Sequence, residues 1–552
     1  MKPRLESRNM VKCCLPNSKL YHLALALCLS SLCDTRVGAS IHEYKDGAFI
    51  RRYNSYFFHG GSEGLYASKN HDDIQEDKPV KGKSFIRFES IIFRRPKESA
   101  ERKNEMQQKT GLLEALIVPI KDRDKIGGSY LNSTAICCTP ELANSGSCKV
   151  GEVIIHDDPN SSPDGPKRLQ TFFEGNNEVA EMVLQTVEIT HDGMYYLYFM
   201  FCDPELLGTT ISGRTVWRNP DGYLPGKMAP LMPFSGFMSL AYLGLGLVWF
   251  LWFTRYWKDV IQLHFHITAV IGLGMSEMAL WYFEYANFNA NGSRPAAITF
   301  WAVTFSAVKK TVSRLLLLVV SMGYGVVRPT LGALTLKVLL LGVGYFMASE
   351  ALGLFENLGN INDFYGKARL ILVLPVAVLD ACFIVWIFSA LSQTLEKLQV
   401  RRSGAKFVLY QKFTNSLAAS VLVSIAWIGY ELYFNAADPL GELWRRAWII
   451  PAFWALLAYM LLIVVCVLWA PSPNPTRYSY SEEMGDDIED QETPFVSGGG
   501  VKLGGGDVAS MAMLEIRKEK KLSTTLPPPP PPAASEYYVF RLGEDLEENK
   551  RE

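Results

Sequence analysis

The chain alternates between two hydrophobic patterns before losing both. Residues 40–230 carry stretches of period two with turn residues between them, at Ser84–Arg94, Gly151–His156, Glu181–Ile189 and Gly193–Phe201. Alternation of that kind predicts half-buried strands, and the aromatic run GMYYLYFMFCD from Gly193 predicts a central one. No stretch of helical period competes with them, and the charged segment Pro96–Gln108 reads as a loop. From residue 233 the pattern becomes long and apolar. Seven segments, at 233–254, 259–287, 297–322, 331–354, 368–393, 410–434 and 446–470, are each near the ~20 residues a bilayer crossing needs. The expected fold is an antiparallel β-sandwich over residues 40–230, a seven-helix membrane bundle over 233–470, and a disordered tail over 471–552.

The first 39 residues have the layout of a signal peptide. Lys2, Arg4, Arg8, Lys12 and Lys19 precede an apolar run from Leu20 to Leu32, and Val37-Gly38-Ala39 offers small residues for cleavage near Ser40. A cleaved signal puts the β-domain in the lumen, and seven crossings put the tail in the cytosol. Two features agree with that orientation. Cytosolic linkers would hold Arg255, Lys258, Arg328, Lys397, Arg401, Arg402 and Lys406, as the positive-inside rule asks. The glycosylation sequons at Asn132, Asn160 and Asn291 would all be lumenal, whereas Asn474-Pro-Thr is blocked by its proline. An oxidising lumen also gives the even set Cys137, Cys138, Cys148 and Cys202 a role as two disulfides. Adjacent Cys137 and Cys138 are poorly placed to bond each other, so one pairs with Cys148 and the other with Cys202. Sequence leaves both pairings open.

Net charge is −1, which gives no reason to expect a nucleic-acid partner. No Cys-x-x-Cys or His-Glu-x-x-His is present, and His156 and His191 stand alone near strand ends. The reading is therefore of a non-enzyme with no metal and no cofactor. Seven helices invite comparison with G-protein-coupled receptors, and Asn474-Pro-Thr-Arg-Tyr478 matches NPxxY. That string follows Ala470-Pro-Ser-Pro, past the last span, and no Asp-Arg-Tyr closes span 3, so the sequence argues against guanine-nucleotide coupling.

Ionisable groups inside spans are costly and face a partner or a cavity. Span 2 carries Glu277 and Glu284, span 3 Lys309, Lys310 and Arg314, and span 5 Asp380, while Glu350 and Glu431 stand near the lumenal ends of spans 4 and 6. At ~1.5 Å per residue, Glu277, the two lysines and Asp380 lie about 15–20 Å deep, in one layer near the midplane. Ser306, Lys310, Ser313 and Arg314 share a helix face, and Lys309 is turned about 100° away. Two readings stand: an ion-pair network that fixes packing, or a polar cavity open to the lumen that admits a ligand, a lipid head group or an ion.

Gly193-MYYLYFMFCDP, Gly222-Tyr-Leu-Pro-Gly, Ser306-Ala-Val-Lys-Lys-Thr-Val-Ser-Arg314 and Val320-Ser-Met-Gly-Tyr-Gly-Val-Val-Arg-Pro329 resemble the transmembrane protein 87 group. That group lies in the lung seven-transmembrane receptor family, whose members carry a lumenal Golgi-dynamics domain. Cys137-Cys-Thr-Pro-Glu-Leu142 resembles plant members most. The resemblance covers about residues 40–470. It implies Golgi residence and a part in trafficking, including endosome-to-Golgi retrieval and cargo handling. It also implies a helix bundle like that of the carrier of lipidated Wnt proteins, with a lumen-facing cavity open to a membrane lipid. A pH- or voltage-sensitive cation channel is the alternative it implies, with Glu277 and the group Lys309, Lys310 and Arg314 at the positions of interest.

Residues 471–552 cannot bury a core. They hold an acidic run at Ser481–Glu492, a glycine-rich stretch at Gly498–Gly506 and a polyproline run at Pro527–Pro532. Tyr537-Tyr-Val-Phe540 fits the Tyr-x-x-apolar pattern read by coat adaptors, and cargo or adaptors are the partners expected for the tail and the β-domain.

Overall fold

In this computed structural model the description covers residues 40–471, except 70–81, 103–108, 129–133, 145, 147, 157–164, 325–331, 333, 359–366, 402–403 and 439–440. The side chains of Asp259 and of 367–370 are also outside it. The expected signal peptide, the tail, and the sequons at Asn132 and Asn160 lie outside the described residues.

Among the described residues ten strands form two antiparallel sheets. One has the order β1 (Ile41–Ala48), β10 (Thr210–Arg218), β4 (Phe85–Arg94), β7 (Val179–Glu181), with β8 (Gln185–Glu188) also paired to β4. The other runs β2 (Ile50–Arg52), β3 (Ser55–Leu65), β9 (Gly193–Phe201), β5 (Thr110–Pro119), β6 (Lys167–Phe173). Alternate residues of both sheets meet in one core, as a sandwich requires. Phe199 at its centre is fully buried and meets Tyr44, Phe88 and Phe93 edge-on, with ring centroids 5.6, 6.2 and 5.9 Å away. Replacing it by alanine would cost about 3–5 kcal/mol.

The aromatic strand β9 is central, between β3 and β5, as its composition predicts. Both its faces are buried. Tyr195, Leu197, Phe199 and Phe201 enter the sandwich core. The excursion between β5 and β6 is tied to the end of β9 by the disulfide Cys137–Cys202, and a second bridge, Cys138–Cys148, closes a short loop within the excursion. The pairing left open by sequence is thereby settled.

Three sequence expectations are corrected. Gly151–His156 is not a strand. It makes single bridges, Val153 to Cys137 and Ile155 to Ile126, because its partners are loop residues rather than another strand. Glu181–Ile189 is two short strands on β4, separated at Met182–Leu184, where Val183 and Leu184 turn outward. Pro96–Gln108 begins with one helical turn, Lys97–Glu101.

Seven long helices follow: α1 (Leu231–Arg255), α2 (Gln262–Asn291), α3 (Ala296–Ser321), α4 (Leu334–Leu358), α5 (Lys367–Val400), α6 (Gly404–Ala437) and α7 (Ile449–Leu468). Six helices, all but α3, are long and apolar enough to cross a membrane, the last counted from Trp444. The third has 26 residues, enough for a crossing, but carries Lys309, Lys310 and Arg314. Its position explains how it tolerates them, since α3 packs against α2, α4 and α5. The turn from α2 to α3 is made by Gly292, in the left-handed region at φ 75°, and Pro295, which sets the start of α3.

The sandwich is seated on the bundle at two places. Asn289 of α2 accepts hydrogen bonds from Tyr223 N (3.0 Å, to its carbonyl) and Leu224 N (3.1 Å, to its side chain), and donates to Asp221 O (3.1 Å). A Cβ on Gly222 would stand 2.3 Å from the Asn289 carboxamide, so only glycine permits this contact. The second seat is the loop before α7, where Trp444 packs with Ile120 and Met194.

Candidate functional site

The polar residues of α3 are each met by a different neighbour. Lys309 Nζ lies 2.8 Å from Glu277 Oε2 of α2, with the two residues 7% and 5% exposed. The same ammonium sits over the ring of Tyr242 of α1, 5.3 Å from its centroid. One turn nearer the β-domain, Ser306 Oγ accepts from Trp281 Nε1 at 2.9 Å. Arg314 pairs with Asp380 of α5 through its Nε, and its guanidinium covers the ring of Tyr345 of α4 at 4.5 Å. Glu350 of α4 accepts from Thr304 Oγ1 at 2.8 Å. Thr304 shares its one hydroxyl proton between Glu350 and the Phe300 carbonyl, 3.0 Å away, and Thr311 donates to the Ala307 carbonyl at 2.8 Å, which satisfies both without water.

Glu284 is fully buried near the β-domain end of α2. It accepts from Thr299 Oγ1 at 3.3 Å and faces Arg294 Nε at 3.6 Å. Arg294 was not among the residues singled out from the sequence, because it stands in the short α2–α3 linker rather than in a span. It is also held by Asn357 of α4 at 3.1 Å. Tyr242 and Tyr345 were missed for another reason: an aromatic ring that receives a cation has no sequence mark.

Two expected members of the network stand apart. Glu431 is half-buried on α6, one turn from Trp427, which stacks on Phe453 of α7 at 3.9 Å. That face of α6 meets α7, which carries no charged residue, and among the described residues Glu431 makes no ion pair. Lys310 makes no ion pair among the described residues. It lies between Ser306 and Arg314 on the inward arc of α3, where Val303, Ala307 and Ser321 are buried. Trp301, on the opposite side, faces outward. Yet Lys310 is exposed. Accessible surface on an ammonium at the centre of an inward face means that the helices leave a space beside it inside the bundle. Over 422–432 of α6, Leu422, Val423, Ile425, Ile428 and Leu432 form one broad exposed face, while Ser424, Trp427 and Glu431 on the other side are partly buried.

A separate groove of about 410 Å³ lies between α2 and α3 and is lined by Ser276, Ala279, Phe283, Ala297, Trp301 and Phe305 among others. None of the charged residues lines it. Its exposed Phe283 and Trp301 put it on the outside of the bundle.

Fold and site together define a multi-pass membrane protein of seven helices, with an N-terminal antiparallel sandwich and acid–base pairs gathered around a basic third helix. Residues 230–476 match the family described as GOST, seven transmembrane domain. The chain is 33% identical to Transmembrane protein 87A of Xenopus tropicalis, over 58% of this chain and 59% of that protein. It is 37% identical to Transmembrane protein 87B of Mus musculus, over 50% of this chain and 49% of that protein, and 36% identical to the Homo sapiens 87B over the same shares. The chain thus spans about half to three fifths of the length of the curated relatives it matches. These matches bear out the resemblance to the transmembrane protein 87 group read from residues 193–329.

Proposed function

We propose that this protein works in membrane trafficking at the Golgi, holding a lipidic or lumenal cargo group in a chamber inside its helix bundle that opens to the lumen. The observation that carries this reading is Lys310, an exposed ammonium at the centre of the inward face of α3. An intramembrane cation outside any close ion pair among the described residues is a functional position by default, and here it suits an anionic or strongly polar group. The orientation follows from charge. Arg255, Lys258, Lys397 and Arg401 gather at the end of the bundle away from the β-domain, which favours that end as cytosolic. The β-domain is then lumenal, and the tail signal at Tyr537–Phe540 would meet cytosolic adaptors.

The alternative, a cation channel, is favoured less by the same geometry. Glu277, Glu284 and Asp380 each face a base, so no row of free carboxylates lines a path beside Lys310, as a cation pathway would need. Cells lacking the protein test the trafficking reading. Retrieval of Golgi residents should slow, wild-type protein should restore it, and Lys310→Met, which keeps length and removes charge, should not. Full rescue by Lys310→Met would contradict a role for the chamber, and normal retrieval without the protein would contradict the trafficking role itself.

A further inference from the structure

The loop before α7 is built to hold the β-domain rather than simply to turn the chain. Asp438, just past α6, accepts from Glu442 N at 2.7 Å and Leu443 N at 2.6 Å, and Gly441 takes the left-handed conformation at φ 78°. This fixes the turn that projects Trp444. The indole is 5% exposed and lies against two glycines of the β-domain and its exit, Gly64 of β3 and Gly226. A Cβ on Gly64 would be 2.6 Å from the indole, and one on Gly226 would be 2.5 Å from it. Gly226 N donates to Gly64 O at 2.9 Å, so both glycines belong to one surface. Tyr66 meets the indole edge-on at 5.0 Å. Arg445 pairs with Asp192 beside β9 and covers Tyr66 at 5.8 Å.

A buried tryptophan ringed by an ion pair has the anatomy of an interface hot spot. It grips the hairpin whose helix α6 presents a broad exposed face, while the other seat of the β-domain, Asn289, belongs to α2. The geometry points to a strap: Trp444 fastens the α6–α7 hairpin to the β-domain, so that the two move as one body relative to α2 and α3. Displacement of the β-domain, by a partner or by loss of the Asn289 seat, then moves the α6 wall of the bundle. This inference holds whatever the chamber contains.

Hydrogen–deuterium exchange on the full chain in lipid nanodiscs tests it, with Trp444→Ala and Gly64→Ala. The second variant keeps the indole but drives it off its seat, since all three of the nearest atoms to the added Cβ are Trp444 ring atoms. Exchange at the β-domain ends of α6 and α7, residues 428–437 and 449–455, should rise about tenfold or more in both variants. Exchange in α2 and α3 and in β4 should stay as in the wild type. Unchanged exchange at the α6 and α7 ends in both variants would overturn the strap. So would a rise of equal size across α2, α3 and β4, which would make Trp444 a general stabiliser.

Discussion

Glu277 and Lys309 form a buried ion pair, 2.8 Å between charged atoms, on two helices that are adjacent in sequence and in space. Their charges are enclosed by Tyr242 on one side and α3 on the other. A pair of this kind costs little while intact and much when halved, because the survivor is left charged in an apolar interior. Glu277→Gln and Lys309→Met should each lower stability by about 3–5 kcal/mol, and the double variant should recover most of the loss. Thermal unfolding of the purified protein in a double-mutant cycle measures this. Additive losses would mean the two groups do not depend on each other.

The half-exposed pair Arg314–Asp380 should behave differently. With the proposed chamber filled by water, both partners are solvated, and Asp380→Asn should cost about 1 kcal/mol or less in the same assay. A loss as large as that of Glu277→Gln would mean the pair is sealed.

The β-domain should respond to pH through Glu114. This carboxylate is buried on β5, and burial raises it above the ordinary glutamate range despite contacts from Gln170 (3.0 Å), Val153 N (2.7 Å) and Arg168 (3.3 Å). Between the ordinary value, roughly 4.3, and the raised one, the folded form holds a proton that the unfolded form has released. Stability from this group therefore grows as pH falls through the raised value and levels off below the ordinary one. Glu114→Gln should flatten that part of the pH–stability curve. An unchanged slope would assign it to another group.

The two disulfides should differ in weight. Cys137–Cys202 closes 65 residues and Cys138–Cys148 closes 10. On loop-closure entropy the first contributes about 4 kcal/mol and the second about 3. Denaturant unfolding of paired Cys→Ser variants should rank them in that order. The reverse order would place the larger role inside the excursion.

Orientation is open to a simple test at Asn291. It is exposed at the last residue of α2, with its amide donating to Asn287 Oδ1 at 2.8 Å. If the β-domain is lumenal, protein from cells should shift on endoglycosidase treatment, and the triple variant of Asn132, Asn160 and Asn291 to Gln should not. Absence of any shift in the wild type would count against that orientation.

The helices were legible because a bilayer demands long apolar runs, and all seven form where the runs lie. Their ends were less so. The fifth extends to Val400 and the sixth starts at Gly404, since amphipathic turns beyond the membrane carry Lys397 and Lys406 without breaking the helix. In the sandwich, β9 announced itself by its aromatics. Strand β3 did not, because Gly60, Gly61 and Gly64 interrupt the alternation where other groups approach closely. In the site, the acids and bases of the spans were visible as costly exceptions. Their partners Arg294, Tyr242 and Tyr345 were not, since a linker arginine and two apolar-span tyrosines look ordinary until the helices meet.

The central claim is that water-accessible space reaches Lys310 inside the bundle. Cysteine accessibility tests it most directly. Lys310→Cys and Trp301→Cys, each made in a Cys382→Ser background because Cys382 is exposed, are treated in membranes with a charged, water-soluble thiol reagent. The account predicts rapid modification of the Lys310→Cys protein and little of the Trp301→Cys protein, whose side chain faces lipid. Modification of Lys310→Cys no faster than Trp301→Cys would contradict the chamber and leave α3 as a packing strut.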